Sequence, residues 1–330
     1  METMINSLLQ SIQVKDIQTF NQMSVAPLVA SEQIGPDYLT MSQGFAQGVL
    51  TVKEVSESGS VPELYVVNEG DTFVLLLDGE EIQGAKQNRV LNTSILVAPK
   101  SECVIPVSCT EQGRWEYKSQ QFKDSQVVMP SFLRSRKQAS VSRNVKTFKS
   151  YRSDQHEVWE GVQALHWAIG THSETGAMRD AFEDKKPDIE KYVQAFAGIK
   201  DVNGIAVFLD GKLAGVDFVS HIPAMNDLLP KLIGSYAMSA LAPGETSAQQ
   251  APSREQVEHS LSLVGRCAVD IHTSQGVGED ARLEGPEIQG AALIALDTVI
   301  HMALFVKTEQ QQYQGEMASF NRRRHFRRFH

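Results

Sequence analysis

Four consecutive side chains that form hydrogen bonds, Lys86, Gln87, Asn88 and Arg89, follow an apolar run in "FVLLLDGEEIQGAKQNRV". Long side chains of this kind lose much conformational entropy when they are ordered, and a simple turn would use Ser, Asn, Asp or Gly instead. The segment therefore predicts a polar site beside a core strand, where these four residues bind a ligand. The alternative is a solvated edge strand whose charges prevent pairing with other strands.

A second polar segment, "VSCTEQGRWEY", follows the next apolar run. Arg114 offers a planar fork for phosphate or carboxylate, and Trp115 offers a flat face for stacking. Glu111 suits a ribose hydroxyl or proton transfer. Glu81, Cys109 and Glu111 are the candidate catalytic acid, base or nucleophile, and no spacing rule singles out one of them. The alternative is a core Trp115, a surface pair for Arg114 and a buried, unreactive Cys109.

The pentapeptide "EIQGA" occurs twice, at residues 81–85 and 287–291. The first copy runs into the polar "KQNR", whereas the second runs into the apolar "ALIALD". The second copy is therefore predicted to pack in the core. The match favours a repeated local geometry over a duplicated domain.

Sequence motifs of several common chemistries are missing from the chain. It has no GxxxxGK[ST] phosphate loop, no GxGxxG fingerprint and no GxSxG elbow. "HEVWE" resembles the HExxH metal helix, but Glu160 replaces the second histidine. We predict no metal site and no cofactor.

Two basic stretches are candidate anion contacts. Between residues 125 and 153 there are seven basic residues and no acid, which suits a phosphate, an acidic patch of a partner subunit or a solvated arm. They are Arg134, Arg136, Lys137, Arg143, Lys146, Lys149 and Arg152. The tail from Arg322 to Arg328 could contact nucleic acid, or it could be a flexible end.

Composition predicts an ordinary globular protein. The chain has 330 residues, of which 42% are hydrophobic, and a net charge of -9, which argues against a uniformly polyanion-binding surface. Its three cysteines form no CxxC pair, as is typical of a reducing compartment. No signal peptide or membrane span is predicted, so we expect a cytoplasmic location.

The order of elements predicts an α+β fold rather than a doubly wound parallel sheet. Residues 45–129 contain β-branched runs separated by turn formers, which predict an antiparallel sheet or sandwich. The spacing of apolar residues after Asp154 then predicts a helix, with Asp154 as its N-cap. A hairpin that turns at Asp210-Gly211 and a helix near residues 224–242 are predicted next. A linker at 242–253, a helix at 253–268 and a last hairpin complete the pattern. We expect a mainly β region at 1–130, a helical and hairpin region at 131–307 packed with it as one unit, and a flexible tail at 308–330.

The run from "LLLDGEEIQGAKQNR" to "VSCTEQGRWEY" resembles a bacterial family named for association with ADP-ribosylglycohydrolases and with rhodanese-phosphatase proteins. The resemblance covers about residues 45–307, with weaker matches at Arg143, Gln155 and Trp159. It implies the handling of NAD-derived compounds such as ADP-ribose. For such a ligand it implies phosphate contacts from Lys86, Arg89, Arg114 and Arg143, ribose contacts from Gln87, Asn88 and Glu111, and base stacking on Trp115 or Trp159.

Three hypotheses follow. The first is a protein that binds or processes a phosphorylated nucleotide, and it requires the two polar segments to converge. The second is a structural or self-assembling protein, such as a homo-oligomer, in which the same polar residues form internal networks or subunit contacts. The third is a nucleic-acid-associated protein that acts through the basic segment and tail.

Overall fold

The computed structural model describes residues 2–31, 35–56, 59–242 and 251–307. The helices are α1 Glu2–Ser11, α2 Met41–Ala46, α3 Ser131–Phe148, α4 Gln155–Ile169, α5 Met178–Asp184, α6 Lys186–Ala195, α7 Ile222–Leu241 and α8 Arg254–Ser262. The strands are β1 Ile12–Val14, β2 Gln18–Phe20, β3 Met23–Ala30, β4 Tyr38–Thr40, β5 Leu50–Glu54, β6 Glu63–Asn68, β7 Phe73–Leu76, β8 Glu80–Gly84, β9 Arg89–Leu91, β10 Ile95–Val97, β11 Ser101–Cys109, β12 Phe122–Val128, β13 Gly204–Leu209, β14 Lys212–Val219, β15 Ala268–Thr273, β16 Glu279–Glu284, β17 Ile288–Ala295 and β18 Thr298–Val306.

The strands form three sheets, and the predicted α+β fold is confirmed. A nine-stranded sheet has the order β1-β3-β13-β14-β18-β17-β16-β15, with β2 also paired to β3. A six-stranded sheet has the order β12-β8-β9-β11-β6-β5, and a three-stranded sheet has the order β10-β7-β4. Within the described ranges, β4 and β7 form the one parallel pair.

The nine-stranded sheet combines strands from the N-terminal region, β1 to β3, with strands from the region after residue 200, β13 to β18. Strand β3 pairs with β13 over six residues, from Gly204 opposite Leu28 to Leu209 opposite Met23. These partners lie on opposite sides of residue 130, so the sheet crosses the predicted division between the two regions. The two regions therefore share one sheet.

Local signals placed several elements correctly. Asp154 caps α4, because its carboxylate accepts hydrogen bonds from the backbone N–H groups of His156 and Glu157. Asp210 and Gly211 both adopt positive φ, 49° and 74°, which is the conformation of a tight hairpin turn. Strands β17 and β18 form the predicted last hairpin.

Other elements differ from the prediction or lie outside the structure. The predicted helix at 253–268 ends early: α8 stops at Ser262, and a 3₁₀ turn follows at Leu263–Arg266. Most of the predicted linker and the whole tail, including the segment from Arg322 to Arg328, lie outside the described residues.

The basic segment forms α3 and the turn after it, and most of its charge is paired within the chain. Five of its seven basic side chains contact acids, in the pairs Arg134–Asp217, Lys137–Asp78, Arg143–Glu157, Lys146–Asp270 and Arg152–Glu63. Arg134 and Lys137 are fully buried. The segment is therefore an integral helix rather than a solvated arm, and little of its positive charge is available to an external anion.

No helix in the described ranges has the length and apolar character that crossing a bilayer requires.

Candidate functional site

The first "EIQGA" copy forms most of β8 and lies inside a sheet. Strand β8 has neighbours on both sides, β12 and β9. Glu80 and Glu81 are completely buried. The alternative of a solvated edge strand is therefore wrong, because the strand is neither at an edge nor exposed.

The two polar segments converge, as the ligand-binding hypothesis requires. The guanidinium of Arg114 donates from Nη1 to the carbonyl of Ala85 at 2.9 Å and from Nη2 to Asn88 Oδ1 at 3.2 Å. The side-chain amide of Gln87 donates to the carbonyl of Glu111 at 2.8 Å. These bonds tie the turn after β8 to the loop after β11.

We call the place where the turn after β8 meets the loop after β11 the junction. A buried ion pair lies at its centre. Arg114 Nη2 contacts Glu111 Oε2 at 2.6 Å, and both side chains are almost fully buried. The same carboxylate accepts hydrogen bonds from the backbone N–H of Asn88 and from the hydroxyl of Thr175. Arg114 and Glu111 therefore neutralise each other's charge, although Arg114 Nε is buried without a partner among the described residues.

Arg89 is the least satisfied residue of the junction. Its side chain has no solvent exposure, and its Nη1 donates to Gln87 Oε1 at 3.1 Å. Its Nε and Nη2 have no hydrogen-bond partner among the described residues. Burial lowers the pKa of the Arg89 guanidinium. Because buried polar groups are nearly always paired, these two donors require an explanation.

Two aromatic rings and a lysine lie next to Arg89. Trp115 is 45% exposed and Tyr117 is 52% exposed. Lys86 Nζ lies 5.2 Å from the centroid of the Trp115 ring and 5.0 Å from that of Tyr117, while Arg89 Cζ lies 5.7 Å from the Trp115 centroid. We call Lys86, Arg89, Trp115 and Tyr117 the cation–aromatic face. It combines positive charge with open ring surface.

Glu81 has the proton affinity expected of a general acid or base near neutral pH. Its carboxylate accepts hydrogen bonds from Thr110 Oγ1 at 2.6 Å and from Ser125 Oγ at 2.9 Å. Burial raises the pKa of Glu81 from 4.5 to about 7, and the two hydroxyl bonds offset only part of that rise.

The other two candidate catalytic residues are poorly suited to the role. Burial raises the pKa of the Cys109 thiol to about 11, and this thiol donates to Gln87 Oε1 at 3.0 Å. A thiol of that kind is a weak nucleophile at neutral pH. Burial alone would raise the pKa of Glu111, but its bonds from Arg114, Asn88 and Thr175 outweigh burial and lower it. Glu111 is therefore an ionised acceptor.

The structure does not bring every predicted residue into the junction. Arg143 lies on the exposed side of α3, where its Nη2 contacts Glu157 Oε1 at 3.1 Å. The indole nitrogen of Trp159 is buried without a hydrogen-bond partner in the described part of the chain. Gln155 has a structural role, since its amide group bonds both the N–H and the carbonyl of Cys109 and docks α4 on β11.

The second "EIQGA" copy packs in the core, as predicted. Its Ile288 and Gly290 lie in β17, and Ile288 is 1% exposed. The amide of Gln289 donates to the carbonyl of Ser135 at 2.9 Å and so joins β17 to α3.

Sequence reasoning missed several residues of the junction. Thr110 and Ser125 bond Glu81, yet hydroxyl residues are too common for their positions to stand out. Tyr117 gave a usable signal, because an aromatic residue two positions after Trp115 is typical of side chains on one face of an extended segment.

A family model, the ARG and Rhodanese-Phosphatase-superfamily-associated Protein domain, matches residues 11–305 of the chain. Comparisons with curated proteins and with solved structures gave no match. The matched range contains both polar segments and nearly all the described strands. The family's name records an association with ADP-ribosylglycohydrolase and rhodanese-phosphatase proteins. With this coverage, the chain belongs to the ARG and Rhodanese-Phosphatase-superfamily-associated Protein family.

Proposed function

We propose that the protein binds a phosphorylated, NAD-derived nucleotide such as ADP-ribose at the cation–aromatic face. The observation that carries this proposal is Arg89, a fully buried guanidinium with two donors that have no partner among the described residues. A phosphate oxygen would satisfy those donors once the neighbouring side chains move aside, because Arg89 has no solvent exposure as it stands. The family's association with ADP-ribosylglycohydrolases favours an ADP-ribose-like ligand.

The energetics favour an anion at Arg89. An arginine stays protonated at neutral pH, and each buried polar group left without a partner costs about 1 to 3 kcal/mol. Two unpaired donors on one buried charged group therefore destabilise the folded protein. Charge-assisted hydrogen bonds from a guanidinium to phosphate are short, strong and often paired.

The aromatic rings supply a surface for the base. Trp115 and Tyr117 are about half exposed, although tryptophan usually buries most of its surface. Stacking of a nucleobase on an aromatic side chain contributes about 1 to 3 kcal/mol. Lys86, whose Nζ lies near both rings, places a second positive charge where the ligand's phosphates would meet the rings.

Thermal unfolding with AMP, NAD, nicotinamide mononucleotide and ADP-ribose tests this proposal. A ligand at about one hundred times its dissociation constant stabilises the native state by about 2.7 kcal/mol. We expect stabilisation of the unaltered chain by at least one of these ligands. Trp115→Leu and Arg89→Gln should reduce it strongly.

Matched controls separate the site from general effects. Trp167 on α4 is 86% exposed, so Trp167→Leu removes an equivalent ring at a distant helix surface. Arg143→Gln likewise removes a surface guanidinium. Both controls should retain the full ligand effect. Absence of stabilisation by all four ligands, or equal loss in Trp115→Leu and Trp167→Leu, would contradict the proposal.

A structural role is the second candidate, and the internal pairing of Arg114 with Glu111 favours it. In that case the junction stabilises the fold or an assembly of subunits and binds no nucleotide. Size-exclusion chromatography with light scattering would then show a defined oligomer. The four nucleotides would leave its unfolding temperature unchanged.

A further inference from the structure

A polar cavity of about 340 Å³ lies beside the junction, lined by Gln83 of β8 and by Arg179 and Asp180 of α5. It also contacts Asn88 and Glu111, but Lys86, Arg89 and Trp115 are not among its lining residues. Its volume is at the lower end of the range of about 300 to 1,000 Å³ for small-molecule sites. The cavity is therefore distinct from the cation–aromatic face.

The lining is polar almost throughout. Ten of the eleven lining residues carry polar side chains, and the exception is Ala177. A nucleobase, lipid or other flat apolar group would gain little from such walls, since apolar contact supplies most of its binding energy. A ligand for this cavity must instead bind through hydrogen bonds.

Several of these polar groups have hydrogen-bonding capacity left. Arg179 Nη1 is buried and has no partner within the described chain. From the described residues the Asp180 carboxylate accepts one bond, on Oδ2 from Ser173 at 2.5 Å, and a carboxylate can accept about four. The backbone of Gln83 belongs to the β8–β12 ladder, and no hydrogen bond from its side-chain amide to another described residue is present.

The charges of the lining argue against an anionic ligand. Three carboxylates, Glu111, Glu174 and Asp180, face two cations, Lys118 and Arg179. Both cations are already near an acid: Lys118 Nζ is 4.0 Å from Glu111 Oε1, and Arg179 Nε donates to Glu183 at 2.7 Å. The lining therefore carries no excess of positive charge that would attract an anion.

We infer that this cavity is a second binding site, for a neutral polyhydroxylated group such as a sugar ring. Each hydroxyl is both a donor and an acceptor, so a sugar matches a lining that mixes amide, carboxylate and guanidinium groups. The inference goes beyond the nucleotide proposal, because Lys86, Arg89, Trp115 and Tyr117 do not line the cavity. The cavity does share Asn88 and Glu111, which the family resemblance implies as ribose contacts.

Ligand-observed NMR by saturation transfer, followed by titration, tests the inference on the full chain. The probes are D-ribose, D-glucose and myo-inositol, with inorganic phosphate as the charged alternative. We expect transfer to at least one neutral probe. Gln83→Met should raise its dissociation constant about tenfold, which corresponds to one or two lost hydrogen bonds. The substitution preserves side-chain length and removes no hydrogen bond between described residues.

A matched variant completes the test. Gln194→Met, at an exposed position of α6, is the matched control and should leave sugar binding unchanged. Inorganic phosphate should show no transfer. The inference fails if no neutral probe shows transfer, if Gln83→Met and Gln194→Met behave alike, or if phosphate binds and no neutral probe does. Trp115→Leu should not affect the sugar, so failure of the nucleotide proposal is recognised separately.

Discussion

At the scale of single residues, Glu81 is the clearest source of pH dependence. Its pKa is about 7 in the folded protein, compared with 4.5 in the unfolded chain. The protonated carboxyl is therefore favoured by folding, and this contribution is fully present below pH 4.5 and is lost as the pH rises to about 7. Since one pKa unit corresponds to 1.36 kcal/mol, the loss amounts to about 3 kcal/mol.

Replacement of Glu81 by Gln removes this pH dependence. We expect Glu81→Gln to gain stability relative to the unaltered chain as the pH rises from about 4.5 to 7, with a constant difference above that range. Urea unfolding at a series of pH values measures it. Glu190→Gln, on the exposed side of α6, should show no such trend. A constant difference between Glu81→Gln and the unaltered chain across the range would mean that Glu81 is ionised in the folded state throughout.

Gly79 is the position where the turn before β8 needs glycine. Its φ is +88°, and an added Cβ would lie 2.8 Å from Arg134 Nε and 2.9 Å from Arg134 Cδ. We expect Gly79→Ala to destabilise the fold by about 2 to 4 kcal/mol, from backbone strain together with displacement of a buried arginine. Gly48 also has positive φ, +69°, but open space around it. Gly48→Ala should therefore cost only about 1 kcal/mol. Equal losses in calorimetry would show that the contact with Arg134 is unimportant.

At the scale of elements, buried ion pairs fix how helices dock on sheets. Lys231 of α7 contacts Glu80 of β8 at 2.9 Å and Asp124 of β12 at 2.7 Å, and all three side chains are buried. Lys231→Met leaves two buried carboxylates without their cation, which should destabilise the protein by about 3 to 5 kcal/mol. Chemical unfolding measures this loss.

Lys191 provides the matched control for Lys231. It pairs with Asp188 at 2.8 Å on the surface of α6, where both side chains are well exposed. Such pairs contribute about 0 to 1 kcal/mol, because water screens them. Lys191→Met should therefore be nearly neutral. A small effect of Lys231→Met would mean that Glu80 and Asp124 take up protons once the lysine is removed.

The elements that the sequence predicted are those whose signals are local. Asp154 predicts the start of a helix because its side chain caps the first turn. Asp210-Gly211 predicts a hairpin because these two residues form the turn itself. The pairing of β3 with β13 has no local signal, since its partners are about 180 residues apart in the chain. The same distinction between local and distant signals applies to the candidate site. The residue types of the two polar segments were visible, whereas the burial that raises the pKa of Glu81 depends on distant strands.

At the scale of the whole molecule, hydrogen bonds between buried side chains connect the sheets. Thr93 Oγ1 donates to Asp280 Oδ2 at 2.7 Å, and Ser94 Oγ shares a hydrogen bond of 2.8 Å with His301 Nδ1. Arg134 of α3 forms a two-pronged pair with Asp217 of β14. Opening the contact between the sheets in part would break these hydrogen bonds while some of their polar groups stay shielded from water, which is costly.

This connectivity predicts that the chain unfolds as one cooperative unit. The predicted division at residue 130 does not separate the sheets, because β1 to β3 complete the sheet formed by the C-terminal strands. We expect a single calorimetric transition whose measured enthalpy equals its van't Hoff enthalpy. Asp217→Asn should lower the midpoint of that transition without splitting it, since the loss of one buried partner weakens every layer that depends on it. Two resolved transitions, or a stable proteolytic fragment ending near residue 130, would show instead that the N-terminal strands fold independently and that the large sheet is a late docking of two units.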